Sequence, residues 1–157
     1  VKHALIYDIQ LWEKIKKSNF KELNWEEITS HSIELKNKII LTDPKETNER
    51  KKLNFGHTFG HAIESYYLNN GMPILHGEAV FMGMILETEI SNLSNLEKKE
   101  IKNYIIKNFE LPYMPNKKKL LRFLKNDKKN KYQKINFTLL EGIGDCTIDN
   151  LLTENEL

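Results

Sequence analysis

The stretch RKKLNFGHTFGHAIE, residues 50–64, decides how the rest of the chain is interpreted. Its apolar spacing, followed by an Asn-Asn-Gly turn at residues 69–71, predicts a helix over residues 53–67. His57 and His61 are four positions apart, so this helix places both imidazoles on one face. A histidine on a helix is more often a hydrogen-bonded residue than a metal ligand. The pair therefore marks a candidate site only in combination with residues elsewhere in the chain.

Two glycines accompany this pair at the same spacing. Gly56 and Gly60 each precede one of the histidines, although a glycine costs a helix about 1 kcal/mol relative to alanine. We therefore expect something to approach the helix backbone closely at these positions. The packing of a neighbouring helix would by itself be a sufficient reason for both glycines.

A second helix begins after Pro73 and carries another histidine. Apolar residues dominate from Ala79 to Ile90, a pattern typical of a central, buried helix, and His76 stands at its start. Two helices joined by a short turn pack antiparallel, and we expect His57 and His76 to converge. Three histidines with carboxylates nearby suit zinc, and neutral imidazole also suits cobalt, iron or nickel.

The remaining segments carry local signals for further helices and one hairpin. An Asn at position 48, in a loop without apolar residues, is suited to a left-handed conformation. Residues 135–140 read as a strand that turns at Gly142 and Gly144, and the acidic tail after Asp149 as a fraying end or a short helix. Helix caps are predicted at Asp8, Asn24 with Glu27, Ser94 with Glu97, and Asn116.

These signals predict a mainly α protein. We expect a single helical domain over residues 1–157, with at most a small β-hairpin near residues 134–148. A chain of 157 residues suits one domain, and its 39% hydrophobic and 29% charged residues are ordinary for a globular protein.

Composition also limits the partners and the compartment. The net charge of +2 predicts nothing about partners, and the lysine blocks at 117–119 and 125–131 are usually solvated helix faces and only sometimes anion or nucleic-acid sites. No nucleic-acid partner is expected. No apolar run reaches the roughly 18 residues of a membrane helix, so no membrane partner is expected. The single cysteine, Cys146, excludes an internal disulfide and fits a small residue near a strand end. We expect a cytoplasmic protein.

Taken together, two long runs of sequence resemble one enzyme family. SIELKNKIILTDPKETNERKKLNFGHTFGHAIE (32–64) and LHGEAVFMGM (75–84) closely resemble 3-dehydroquinate synthases, as do the Asp-Lys-Lys at 127–129 and the Gly-Ile-Gly at 142–144. The resemblance implies two domains, an N-terminal α/β domain that binds NAD and a mainly helical C-terminal domain. This chain resembles the second alone. It contains no Gly-x-Gly-x-x-Gly loop, and its start at Val1 suggests a fragment.

The resemblance also implies roles for particular residues. His57 and His76 would be ligands of zinc or cobalt, and the third ligand would be a glutamate that precedes Val1. His61 would be a second-sphere group, whereas the spacing alone would place it on the metal; whether it replaces the glutamate stays open. The substrate would contact Lys2, Lys36, Arg50, Asn54 and one of Lys128 and Lys129.

The implied reaction converts 3-deoxy-D-arabino-heptulosonate 7-phosphate to 3-dehydroquinate and phosphate, early in the shikimate pathway. It proceeds by transient oxidation with NAD, phosphate elimination, re-reduction and aldol closure, in an enzyme expected to be a homodimer. The chain alone is expected to be inactive without its N-terminal NAD-binding domain. Two alternatives remain: a helical metal-binding domain without catalysis, and a related sugar-phosphate cyclase or polyol dehydrogenase.

Overall fold

The computed structural model describes residues 1–125 and 134–157, and within them the mainly helical prediction is confirmed. One antiparallel hairpin forms the sheet of this described part. The helices are α1 Lys2–Tyr7, α2 Ile9–Lys17, α3 Trp25–Thr42, α4 His57–Asn69, α5 His76–Ile90, α6 Asn95–Asn108 and α7 Lys117–Leu124. The strands are β1 Ile135–Gly142 and β2 Asp145–Leu152, and short 3-10 turns span Phe20–Glu22, Glu49–Asn54 and Glu154–Glu156.

The predicted helix caps are confirmed. In each case a side-chain oxygen of the cap residue accepts a backbone N–H of the first turn, which otherwise has no partner in the helix. Ser94 and Glu97 complete a reciprocal capping box. The other caps pair Asp8 with Leu11 N–H, Asn24 with Glu27 N–H and Asn116 with Lys118 N–H.

The predicted start of α4 at residue 53 is wrong. Gly56 adopts a left-handed conformation with φ of 83°, which interrupts the helix, and α4 begins at His57. The preceding residues Glu49–Asn54 form a separate 3-10 turn. His57 therefore lies in the first turn of α4 rather than in its middle.

The closest contact between helices is made by glycines of α4 and α5. A methyl group placed on Gly83 would lie 2.0 Å from the carbonyl oxygen of Gly56, and one on Gly60 would lie 3.3 Å from that of Ala79. The element that approaches the glycine-bearing face of α4 is therefore α5. Helix packing accounts for both glycines.

In the part of the chain that the structure describes, the interior forms two apolar clusters that share α5. The first is built on α1, α2 and α6, and α5 adds Met84 and Ile85 to it. The second is built on α4, α7 and β1, and α5 adds Met82 and Leu86 to it. As predicted from its composition, α5 is the central buried helix.

The hairpin is longer than predicted. Strand β2 continues to Leu152, beyond the predicted end of the hairpin. Of the two forms predicted for the tail after Asp149, a fraying end or a short helix, the second occurs as a 3-10 turn at Glu154–Glu156. Leu140 pairs with Cys146, and the turn between the strands uses Gly144 at φ of 95°. The hairpin lies against α1, because the Gly144 N–H donates to the carbonyl of Leu5.

None of the helices in the described residues has the length and apolar character to cross a membrane.

Candidate metal centre and anion-binding residues

Three imidazole rings surround one space beside the first turns of α4 and α5. The ring centroids of His57 lie 5.6 Å from those of His61 and His76, and the latter two are 6.0 Å apart. Two imidazoles bound to one tetrahedral zinc at the usual Zn–N distance would have centroids about 5 Å apart. The space between the rings is therefore close to that which a metal ion needs.

The side chains around that space are more widely separated than the ligands of a bound metal ion. Within residues 1–125 and 134–157, no group of three or more His, Cys, Asp or Glu side chains is arranged tightly enough to hold a metal ion. A small inward shift of the rings, of about half an ångström, would bring the histidines to the ligand spacing. The described part thus contains a loose nitrogen donor set.

Hydrogen bonds orient two of the rings in the manner of metal ligands. His57 Nδ1 lies 3.2 Å from the carbonyl oxygen of Phe55, and His76 Nδ1 lies 3.3 Å from a carboxylate oxygen of Glu64. Both partners are acceptors, so Nδ1 donates in each case, and in the neutral ring Nε2 carries the lone pair. Metal-binding histidines are typically held this way. The donor set therefore fits zinc or cobalt through Nε2 of both residues.

The environment of His57 keeps its ring neutral. Burial and, after it, the charge of Lys2 together lower the pKa of His57 to about 4. Only the neutral imidazole offers a lone pair to a metal. His57 is thus in the ligand form at neutral pH.

A cationic region adjoins the histidines. The Lys2 ammonium donates to the carbonyl of Leu53 at 2.7 Å. The pKa of Lys2 is lowered to about 8, mainly by burial and also by the charge of Lys36, while the charge of Glu87 acts in the opposite direction. Lys36 is exposed on α3 and lies close enough to influence Lys2. Two of the predicted substrate-binding cations are therefore neighbours.

Arg50 and Asn54 are joined through Glu46. The Asn54 amide donates to Glu46 at 2.8 Å, and the Arg50 guanidinium lies 3.8 Å from the other oxygen of that carboxylate while donating to the carbonyl of Pro44. Both residues also lie on the turn that leads into α4. Glu46 and Asn54 line a cavity of about 250 Å³. Its other polar lining residues are Lys51, Thr58, Asn136, Thr138 and Asp149.

The loop before Arg50 is organised by Asp43. Its carboxylate accepts the backbone N–H groups of Thr47, Asn48 and Arg50. These hydrogen bonds, led by that of Thr47, lower the pKa of Asp43 to about 2. The chain must reverse its direction for three backbone N–H groups to reach one carboxylate. The left-handed residue of this reversal is Glu46, with φ of 55°, whereas Asn48 has φ of −139°. The prediction that Asn48 would be left-handed is therefore wrong.

A buried carboxylate that the sequence analysis did not single out supports the start of α4. Glu87 of α5 is fully buried, and its two oxygens accept the backbone N–H groups of Gly56 and Phe59. The only sequence signal was a charge within an apolar helix, since its partners lie 28 and 31 positions away. Glu64, the partner of His76, was likewise given no role.

The predicted site residues fall into three groups. His57, His61 and His76 lie together, with Lys2 near His57 and Lys36 near Lys2. Arg50 and Asn54 form a second group on the turn before α4. Lys128 and Lys129 lie outside the described residues. The roles of all of these residues stay predictions.

Sequence comparisons identify relatives over the whole chain. Residues 1–130 match the family model described as 3-dehydroquinate synthase C-terminal. The chain is 36% identical to the 3-dehydroquinate synthase of Thermoanaerobacter pseudethanolicus and 34% identical to that of Parabacteroides distasonis, and all of it is covered in both cases. It spans about half the length of these curated relatives, 47% of each.

Solved structures share the fold. A 2-epi-5-epi-valiolone synthase from Streptomyces hygroscopicus, solved with NAD⁺ and Zn²⁺ bound, matches 99% of this chain with a TM-score of 0.79 and 20% identity, over 46% of its own length. A 2-deoxy-scyllo-inosose synthase in complex with carbaglucose-6-phosphate, NAD⁺ and Co²⁺ matches 99% of this chain with a TM-score of 0.73 and 21% identity, over 47% of its own length.

Proposed function

The chain belongs to the 3-dehydroquinate synthase C-terminal family, and from this membership we propose that it is the metal- and substrate-binding half of a 3-dehydroquinate synthase. The proposed reaction converts 3-deoxy-D-arabino-heptulosonate 7-phosphate to 3-dehydroquinate and phosphate. The observation that carries the proposal is the convergence of the imidazoles of His57, His61 and His76 beside the Lys2 ammonium. A homodimer in the cytoplasm is the proposed full-length form.

His57 and His76 would hold the metal through Nε2. When bound, zinc or cobalt supplies Lewis-acid polarisation of substrate oxygens. Phe55 O and Glu64 hold the opposite nitrogens of the two rings, which keeps both Nε2 atoms available. His61, which is exposed on α4, would accept or release a proton of the substrate or of a bound water. A carboxylate from the rest of the protein would complete the ligand set.

The cationic residues would hold the anionic groups of the substrate. Lys2 lies near His57 and Lys36 lies near Lys2, and Arg50 offers a guanidinium that can bind a carboxylate or phosphate with two hydrogen bonds. Asn54 would orient a hydroxyl, and one of Lys128 and Lys129 would complete the set. NAD, bound mainly by the other half of the protein, supplies the hydride acceptor and donor.

The second candidate is a related sugar-phosphate cyclase, because the solved structures that share the fold are named as other synthases. Those neighbours are only 20–21% identical and indicate the fold alone, whereas the relatives at 34–36% identity are 3-dehydroquinate synthases. The set of three or four cations suits a substrate with both a phosphate and a carboxylate. A substrate without a carboxylate would leave part of this set unused.

The test is phosphate release by the chain joined to the nucleotide-binding half of the Thermoanaerobacter relative. With NAD and cobalt, we expect release from 3-deoxy-D-arabino-heptulosonate 7-phosphate and none from glucose 6-phosphate. His57→Ala and His76→Ala should abolish release. His31→Ala removes a histidine that pairs with Asp8 and should leave release intact.

Release from glucose 6-phosphate instead would establish the second candidate. Unchanged release in His57→Ala would refute the proposed metal site.

A further inference from the structure

We propose that Glu87 is a positioning residue that fixes the orientation and tautomer of the His57 imidazole through the Phe55–Gly56 peptide. That His57 binds a metal rests on the proposed function, whereas the orientation of its ring does not. The contact runs from a buried carboxylate on α5 to a backbone peptide and from there to a ring nitrogen on α4.

Glu87 is a fully buried carboxylate that accepts two backbone N–H groups. Oε2 accepts from Gly56 N at 2.5 Å and Oε1 accepts from Phe59 N at 3.1 Å. A buried charge is costly unless it is hydrogen-bonded, and the N-terminus of a helix favours a negative charge. Gly56, which precedes α4, has no side chain with which to cap it. Glu87 therefore supplies from α5 the cap that α4 lacks.

One peptide group connects this carboxylate to the histidine. The Phe55–Gly56 peptide is planar and trans, so its N–H and its C=O point in opposite directions. The N–H donates to Glu87, and the C=O accepts from His57 Nδ1 at 3.2 Å. Fixing one end of the peptide therefore fixes the acceptor that decides which ring nitrogen of His57 carries the proton.

The same peptide would be free to rotate without this contact. Glycine reaches many backbone conformations at little cost, and Gly56 already has φ of 83°. Gly83, one helical turn before Glu87, lets α5 approach the Gly56 carbonyl to a distance that no side chain would allow. The close helix approach and the carboxylate act on the same segment from the same helix.

Lys2 is a further neighbour of Glu87. The ammonium of Lys2, which donates to the carbonyl of Leu53, interacts with Glu87, whose charge raises the pKa of Lys2. Lys2 and Glu87 therefore both contact the segment that leads into α4, Lys2 at the carbonyl of Leu53 and Glu87 at the N–H of Gly56. A carboxylate in this position can accept two N–H groups at once, whereas an amide can accept with its oxygen only.

The test compares Glu87→Gln with a neighbouring control in the metal-free 157-residue chain. Thr88→Val alters the adjacent, equally buried residue, whose hydroxyl finds no partner among the described residues. The readout is the ¹⁵N chemical shifts of the histidine rings at pH 7. In the unaltered chain we expect His57 protonated on Nδ1. In Glu87→Gln we expect a mixture of the two His57 tautomers, with His61 and His76 unchanged, and in Thr88→Val no change.

The affinity for cobalt, measured by titration of the full-length chimera, is the second readout. It should fall by about 10- to 100-fold in Glu87→Gln, as for other residues that orient a metal ligand, and should not change in Thr88→Val. The proposal is overturned by a folded Glu87→Gln with an unchanged His57 tautomer, or by His57 protonated on Nε2 in the unaltered chain. The latter measurement decides the matter even where Glu87→Gln does not fold.

The two readouts separate this inference from the proposed function. A His57 tautomer that depends on Glu87 in a protein that binds no zinc or cobalt would leave the positioning role intact and refute the metal site. Cobalt bound through His57, with affinity and tautomer both unchanged in Glu87→Gln, would refute the positioning role alone.

Discussion

The three clustered histidines differ in what surrounds each ring. His57 is partly buried and held by a backbone carbonyl, whereas His76 has a side chain that is 55% exposed and is held by the Glu64 carboxylate. His61 is exposed on the same face of α4 as His57. The distances between the ring centroids do not distinguish the three histidines, so substitutions are needed to assign their roles.

We expect His57→Ala to remove stoichiometric cobalt binding, and His61→Ala to retain it while losing phosphate release. The reason is that His57 would ligate the metal through Nε2, and His61 would act on the substrate. Cobalt absorption and phosphate release in the chimera measure the two effects, with His31→Ala as the control. Equal loss of cobalt in both variants would instead make His61 a ligand.

Asp43 gives a prediction about pH. Its pKa is about 2 in the folded protein, below the ordinary value of 3.8, so the unfolded chain binds more protons between these values. The stabilisation by Asp43 is therefore complete above pH 4 and is lost as the pH falls towards 2. We expect the free energy of unfolding to fall less steeply over this interval in Asp43→Asn, as measured by urea titrations at several pH values. Parallel profiles in the two proteins would contradict the assignment.

At this scale the sequence predicted the histidine cluster but not its supports. His57 and His61 share a helix face by spacing alone, and the position of His76 followed from a short turn. Glu87 and Glu46 act through partners that only the tertiary structure brings near. The left-handed residue of the loop was misplaced at Asn48 because the hydrogen bonds of Asp43, not residue preference, decide where the chain reverses.

At the level of helices, the contact between α4 and α5 depends on Gly83. We expect Gly83→Ala to destabilise the protein by about 1–3 kcal/mol or more, because the added methyl would lie 2.0 Å from a backbone oxygen that belongs to a rigid segment. Gly77→Ala is the matched control on the same helix, since its methyl would meet nothing within 4 Å. That control should be neutral or stabilising by up to about 1 kcal/mol. Urea unfolding measures both, and equal stability of the two variants would contradict the close contact.

Ser91 connects α5 to the hairpin through two hydrogen bonds of its hydroxyl group. Its buried hydroxyl donates to the carbonyl of Glu87 and accepts the N–H of Leu140. We expect Ser91→Ala to cost about 1–3 kcal/mol, because it leaves a buried N–H without an acceptor. Ser18→Ala, which removes an exposed hydroxyl bonded to its own helix, is the control and should cost much less. A Ser91→Ala protein as stable as the control would show that Leu140 finds another acceptor.

Element boundaries were predicted well where their cause is local. The caps at Asp8, Asn24, Ser94 and Asn116 act within three residues of their own positions. The start of α4 and the end of β2 were mispredicted, because the first depends on the contact with α5 and the second on pairing with β1.

Among the described residues, α5 and β1 both contribute to the two apolar clusters, so we expect the protein to unfold as a unit. Leu5→Ala in the first cluster and Ile63→Ala in the second should each cost about 2–5 kcal/mol. Each should shift a single transition recorded both by Trp12 fluorescence and by far-UV circular dichroism, because α5 serves both clusters. Two separate transitions, with only one shifted in each variant, would contradict this.

The contact between Gly144 and Leu5 bears on how the protein is made. Within this chain, α1 is synthesised before the hairpin that contacts it, so the part of α1 that packs on the hairpin stays uncovered until the hairpin has been made. Closing so long a loop is entropically unfavourable until the later contacts form. The first cluster therefore lacks the contributions of β1 and β2 until then, and during that interval the apolar residues of α1 are exposed to aggregation.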